Sequence, residues 1–284
     1  MREGSQSARV IVLTSLAMTA FAGNSLFCRL ALKQTGIDAA SFTSVRLVSA
    51  ALTLWLIVRA GRKADGIAGN WPSAAALFVY AACFSFAYVS LSAATGALLL
   101  FGAVQTSMIG FGIWKGERLH GMQLAGFALA LGGLAGLMLP GLSAPPLYGA
   151  ILMLSAGVAW GVYSLRGRGA GDPALVTTGN FLRTVPLTLG LSFLLLGRQS
   201  FDLQGFIYAI LSGALASGVG YTVWYHALPH LKATKAAAVQ LSVPVLAALG
   251  GVLFLNEPIS LRITLASFAI LAGISLVVLE RKTL

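Results

Sequence analysis

Ten apolar runs, each about as long as a bilayer is thick, restrict this chain more than any motif in it. They fall at about 10–31, 40–58, 72–92, 96–114, 121–139, 147–165, 174–196, 204–226, 235–255 and 261–279. A helix rising about 1.5 Å per residue needs about 20 mostly apolar residues to cross the hydrocarbon. The gaps are short and carry glycine, proline and charge, as in Arg59-Ala60-Gly61-Arg62-Lys63, Lys115-Gly116-Glu117-Arg118, Pro140 to Pro146 and Arg166-Gly167-Arg168. None of them could hold a soluble domain. Charged residues make up 10% of the chain, against about 25% in a soluble domain. A soluble enzyme is therefore excluded, and the expected fold is an all-α integral membrane protein of ten transmembrane helices. Ala20-Phe21-Ala22 resembles a signal-peptide cleavage site. The first run continues past it to about Leu32, so that run is read as a retained span.

Charge sets the orientation. Of the 19 Lys and Arg, 13 lie in the amino-terminal tail, the even-numbered gaps and the tail after the last span. The even gaps contribute Arg59, Arg62, Lys63, Lys115, Arg118, Arg166, Arg168, Lys232 and Lys235, and the tails Arg2, Arg9, Arg281 and Lys282. The odd gaps hold Arg29, Lys33, Arg198 and Arg262. Basic loops stay on the cytoplasmic side, so both termini are expected there. The net charge of +11 forms no basic stripe of the kind that tracks nucleic acid. Cys28 and Cys83 stand alone in apolar runs and read as packing residues, not as a disulfide or metal pair.

The chain repeats itself at an offset of about half its length. Ala103-Val104-Gln105 recurs as Ala238-Val239-Gln240. Gly116-Glu117 recurs as Asn256-Glu257, and Gln123-Leu124-Ala125-Gly126-Phe127 as Thr264-Leu265-Ala266-Ser267-Phe268. Arg46 in span two matches Arg183 in span seven. Five spans is an odd number, so the second half must enter the bilayer from the opposite side. The sequence thus predicts two inverted five-helix repeats, residues 1–141 and 142–284. Inverted repeats are the physical basis of alternating access, with solute held near the midplane between the halves.

Ten spans in five-plus-five order, an arginine in spans two and seven, and Leu255-Asn256-Glu257-Pro258-Ile259-Ser260 before a last apolar span resemble the EamA-type drug/metabolite transporter superfamily. The likeness covers nearly the whole chain and is best in the carboxyl half. It implies a bundle in which the first four helices of each half surround a central chamber and the fifth braces the outside. It also implies residence in a bacterial inner membrane and, by similarity to the YddG amino-acid exporters, export of amino acids or similar amphipathic metabolites.

Polar side chains inside a bilayer usually face protein or a wet cavity. Asn24, Tyr80, Tyr88, Gln105, Trp160, Tyr163, Tyr221 and Gln240 are the expected substrate-binding residues. They offer aromatic walls and neutral hydrogen-bonding groups, which suit a zwitterion whose ammonium can lie against a ring. The competing reading is interhelical bonding and plain packing, and for Trp224, Tyr225 and Trp114 an interfacial belt. Arg46 and Arg183, the charges inside spans, are read as structural charges that snorkel toward the membrane surface or form a fixed pair; the alternative is a gating charge or a carboxylate-binding group. Glu117 and Glu257 are read as turn-forming caps.

None of the eight Asp and Glu lies mid-span. Proton coupling through a buried carboxylate is not expected, and downhill export is preferred. Small-residue pairs, Gly132-xxx-Gly136, Ala269-xxx-Gly273, Gly112-xxx-Gly116 and Ala216-xxx-Gly220, mark close helix contacts. Packing within one chain accounts for them, so a monomer is expected. No sequence pattern calls for a metal or cofactor. An intramembrane enzyme is disfavoured because no acid, base and nucleophile converge. Ser217-Gly218 with His226 is the nearest approach, and Leu215 breaks the protease pattern.

Overall fold

The computed structural model describes residues 2–61, 67–116, 118–119, 121–141, 144–231 and 239–279. Arg62, Lys63, Glu117, Lys232, Lys235, Arg281 and Lys282, and the side chain of Arg2, lie outside the described residues.

Among the described residues, and apart from a single 3-10 turn at Leu196–Arg198, ten helices follow one another: α1 (Arg2–Gln34), α2 (Ala39–Ala60), α3 (Trp71–Tyr88), α4 (Ala93–Trp114), α5 (Gly121–Met138), α6 (Leu147–Gly167), α7 (Pro173–Leu194), α8 (Leu203–His230), α9 (Ser242–Leu255) and α10 (Leu261–Leu279). Strands are absent among the described residues. Eight of these helices are long and apolar enough to cross a membrane. The other two are α7, which is enriched in Thr and carries Asn180 and Arg183, and α9, which is 14 residues long. This is an integral membrane fold. In lipid every backbone polar group must be satisfied within the segment, and a helix does this by itself.

The helix ends obey local chemistry. Asp38 caps α2 by accepting from the amides of Ala40 and Ser41 at 2.9 and 3.0 Å. Asn70 caps α3 through Ser73 N at 2.9 Å, with Pro72 in the first turn. Ser92, Asp172 and Asp202 cap α4, α7 and α8 in the same way. Such caps satisfy amides that have no partner within the helix. Asn256 ends α9 in the left-handed region at φ 51°, a conformation that Asn tolerates better than most residues.

Packing links the halves of the chain in a pattern that survives exchange of each helix with the one five places away. α3 packs on α6 as α8 packs on α1; α4 packs on α6 as α9 packs on α1; α2–α7, α4–α9 and α5–α10 map onto themselves. The last pair lies at the flank, since only 22% of each of its apolar windows is buried, against 33–56% for the other spans. Gly126 and Gly133 of α5 face Gly273 and Ala269 of α10 so closely that a Cβ on either glycine would strike the partner helix. Gly132 and Gly136, expected to form this contact, meet open space instead. The stripe runs along i and i+7, one residue out of phase with the sequence expectation.

α8 is not uniformly α-helical. Its middle, Leu211–Val219, widens to π-helical turns between Leu203–Ile210 and Gly220–Ala227. Ser217 Oγ donates to Ser212 O, five residues back, at 3.0 Å. Gly213 and Gly218 let this stretch press against α2 at Arg46, Ser49 and Thr53. Wide turns of this kind are uncommon and tend to occur at functional sites.

Candidate functional site

Between the halves lies an internal cavity lined by residues of α1, α3, α4, α6 and α8, and by Gln240 just before α9. Aromatic rings form one wall. Trp160 stacks on Tyr221 at 5.5 Å and 24°, and lies 4.8 Å from Tyr80 and 5.4 Å from Tyr163. Phe21 joins them at 5.4 Å from Tyr221. Phe84, Leu100, Phe101, Val104 and Ala216 complete the apolar lining. Polar groups enter from Asn24, Ser25, Tyr80, Ser217 and Gln240. The space open to the centres of water-sized molecules is about 40 Å³, room for about three waters. A metabolite would enter only if these walls part.

Five of the expected binding residues therefore meet at one place: Asn24, Tyr80, Trp160, Tyr221 and Gln240. Three do not line the cavity. Tyr163 forms a second layer behind Trp160. Gln105 is buried one residue beyond the lining Val104. Tyr88 is fully buried, edge-on to Phe84 at 4.8 Å and 82°, toward the α3–α4 connection. Phe21 and Phe84 were not singled out by the sequence, because a phenylalanine in an apolar run carries no signal of where it points.

A hydrogen-bonded chain leads out of the cavity. Ser212 Oγ donates to Asn24 Oδ1 at 2.6 Å, and Asn24 Nδ2 donates to the Tyr80 hydroxyl at 3.4 Å. Arg46 Nη2 donates to the same hydroxyl at 3.2 Å. Arg46 does not snorkel. It is 2% exposed, and its guanidinium lies 4.7 Å from the Phe84 ring centre and 5.3 Å from that of Tyr80. Its Nε and Nη1 have no hydrogen-bond partner. Cation–π contacts contribute about 2 kcal/mol when desolvated, whereas burying an ion costs several kcal/mol. The rings alone do not offset the burial of this charge. Arg183, which the sequence matches to it, is half-buried, and its Nη1 donates to Ala68 O and Gly179 O, each at 2.9 Å. Equivalent positions in the sequence thus have unlike environments.

Polar contacts close both ends of the bundle around the cavity. At the end bearing the odd connections, Arg29 Nε donates to Glu257 Oε1 at 2.8 Å. Arg29 Nη1 also reaches Tyr88 O at 2.8 Å and Val89 O at 3.1 Å, the carbonyl end of α3. Glu257 Oε2 accepts the Ala93 amide at 2.7 Å, at the amino end of α4. Each charge therefore also faces the helix pole that favours it. Arg29 was counted with the first connection, but α1 runs on to Gln34 and holds it inside the helix, 9% exposed. Glu257 forms its turn and this ion pair as well. At the other end, Arg166 donates to Ser73 Oγ and Asn70 Oδ1 at 3.2 and 3.3 Å, and the Asn70 amide donates to Asn180 Oδ1 at 3.0 Å. Gly69, at φ +92°, is needed for that approach, since a side chain there would collide with Asn180.

Of two aromatics expected at the membrane surface, one is buried and the other half-buried. Trp224 is 6% exposed and lies edge-on to Phe21 at 6.2 Å. The Tyr225 ring stacks on Tyr221, and its hydroxyl pairs with Thr177 Oγ1 at 2.9 Å. Trp114, at 76% exposed, stays outside as expected.

Comparison with known proteins adds a lineage. Residues 147–279 match the model of the EamA-like transporter family. A Pseudomonas aeruginosa protein, PA1977, is 58% identical over 96% of both chains. Two proteins of Archaeoglobus fulgidus, each called an uncharacterized transporter, are 25% identical over 93% of this chain and 96% of theirs, and 27% identical over 72% and 74%. One crystal structure shares the fold with a TM-score of 0.67 at 16% identity, covering 98% of this chain and 99% of that one.

Proposed function

We propose that this chain, which belongs to the EamA-like transporter family and is a membrane transporter of the drug/metabolite superfamily, exports small amphipathic metabolites, amino acids first among them, by alternating access. The observation that carries the reading is the cavity at the seam of the two halves, where Trp160 and Tyr221 meet Asn24, Tyr80 and Gln240. Such a lining offers ring faces to an apolar or cationic group and amide or hydroxyl groups to polar ones. Residues 1–141 and 142–284 serve as the two inverted repeats. The exchange pattern of helix contacts supports this, and an odd number of spans per half supplies the inversion. In this reading the termini face the cytoplasm of a bacterial inner membrane, the bilayer is the only other partner, and the working unit is a monomer.

Solute moves downhill in this reading, because the one carboxylate buried among the described residues, Glu257, is held by Arg29 and the Ala93 amide and does not line the cavity. The test is counterflow in proteoliposomes loaded with amino acids, cationic drugs or sugars. Saturable exchange of an amino acid supports the reading. Exchange of the drugs or sugars alone replaces its solute class, and unsaturable leak in every case replaces the carrier with a channel.

A further inference from the structure

We infer that Arg46 supplies the positive charge that neutralises a carboxylate on the solute held in the cavity, acting through and beside the Tyr80 hydroxyl. This rests on the transport reading above and names the chemical feature that the solute must carry. No carboxylate lies within ion-pair distance of Arg46 among the described residues, where the ion pairs are those of Arg29 and Lys33 with Glu257. A cation buried this far with Nε and Nη1 unpartnered is stable only at a cost to the fold, because buried charges are ordinarily paired. Its surroundings say where the missing anion would arrive. Tyr80 and Phe84, whose rings cover the guanidinium, both line the cavity. A turn of either ring would bring the two free donors to the space between the halves.

The Tyr80 hydroxyl points the same way. It accepts from Arg46 Nη2 and from Asn24 Nδ2. Its own proton remains to be donated, and it belongs to a residue of the cavity wall. A hydroxyl that accepts from a cation donates more strongly, so an anionic acceptor gains most there. Arginine suits a planar carboxylate because its donors form a fork. Arg183 offers no such site, since backbone carbonyls hold it.

The test uses the full chain purified in detergent, with thermal unfolding as the readout. Its probes are matched pairs, phenylalanine with phenylalaninamide and leucine with leucinamide, and inorganic phosphate alone. The carboxylate of each pair is expected to raise the unfolding temperature and the amide to leave it unchanged. Arg46→Met should weaken carboxylate binding by at least about 30-fold, the scale for removing one partner of a desolvated charge pair. Arg46→Lys should recover part of it. Without any probe, Arg46→Met should unfold at the same temperature as the native chain or higher, since it replaces an unpaired buried charge with an apolar side chain. A lower unfolding temperature makes Arg46 a structural residue and overturns the proposal. So does stabilisation by the amides or by phosphate alone, or by none of the probes. Counterflow of an uncharged solute that Arg46→Met leaves intact would keep the transport reading and remove this one.

Discussion

Replacing Glu257 with alanine is expected to destabilise the chain by about 3–5 kcal/mol, the scale for removing one partner of a buried ion pair. The structure places the value toward the lower end. Arg29, whose side chain is 11% exposed, keeps two carbonyl acceptors, Tyr88 O and Val89 O, when the carboxylate is gone. It is left uncompensated in charge but not in hydrogen bonding. The Ala93 amide loses its acceptor as well, a loss like that of an N-cap and worth about 1 kcal/mol. Arg29→Met should cost a similar amount, because Glu257 keeps the Ala93 amide and has Lys33 Nζ only at 3.8 Å. The double variant leaves no orphan charge, and should cost at least 1 kcal/mol less than the sum of the singles, within the usual range for directly coupled residues. Equilibrium unfolding in mixed micelles, followed by tryptophan fluorescence, measures all four corners of this cycle. A coupling energy below about 0.5 kcal/mol would mean additive, independent sites. Arg29 and Glu257 would then be neighbours that do not hold the two halves together.

Other outcomes follow from the same structure. Asp38 is partly buried, which alone would raise its carboxyl, but hydrogen bonds from Ser41, Ser200 and Ala40 outweigh this and hold it below the usual carboxylate range; its contribution is therefore full above the unfolded value of about 3.9 and fades as pH falls through the lower folded value. Unfolding measured against pH should show Asp38→Asn with a shallower loss on the acid side. Gly273→Leu should destabilise by about 1–3 kcal/mol, the scale of overpacking, because its side chain must enter α5 at Gly126 and Ala130, while Gly132→Leu should be nearly neutral; a thermal melt that ranks them the other way refutes the packing phase. Trp160→Ala should slow counterflow while leaving the detergent-purified protein folded, and unchanged rates would take it out of the solute path. Collapsing the proton gradient should leave downhill amino-acid flux intact, and complete loss of flux would require a coupling group.

Spans were legible because their cause is local. Lipid forces each segment to satisfy its own backbone, so run length alone marks a helix. What run length does not give is rotational phase. Beyond Gln123 in its first turn α5 is apolar on every side, and nothing in that stretch distinguishes Gly133, which faces α10, from Gly132, which faces open space. Polar residues restore the phase where they occur. Asn24 and Gln240 reach the cavity for that reason. Yet Gln105, which the sequence matches to Gln240, sits beside the cavity instead of in it, because a polar side chain can be satisfied by a neighbouring helix as well as by a wet space. Counting depth from the end of an apolar run puts Trp224 and Tyr225 at the surface, but α8 continues to His230, and it buries Trp224 and half-buries Tyr225. The widened turns of α8 had no sequence signal apart from small residues, which are common in membrane helices for other reasons.

The two closed ends give the proposed cycle a physical constraint. A cavity that holds about three waters must widen on one side before a metabolite can enter, and each side is held by a different kind of contact. Arg29 and Glu257 join α1 to the α9–α10 turn through charge, reinforced by the poles of α3 and α4. At the other end, Arg166, Asn70, Ser73 and Asn180 join α3 to α6 and α7 through hydrogen bonds, two of them to an arginine that is largely exposed. Exposed contacts of this sort contribute little, because water competes for both partners, whereas the buried pair must be separated and rehydrated as a unit. In the proposed cycle the end near the termini is therefore expected to open at lower cost in the absence of solute. For solute to shift that balance, it must bind the other arrangement more tightly, and the contacts available to do so are those of the cavity that both ends enclose.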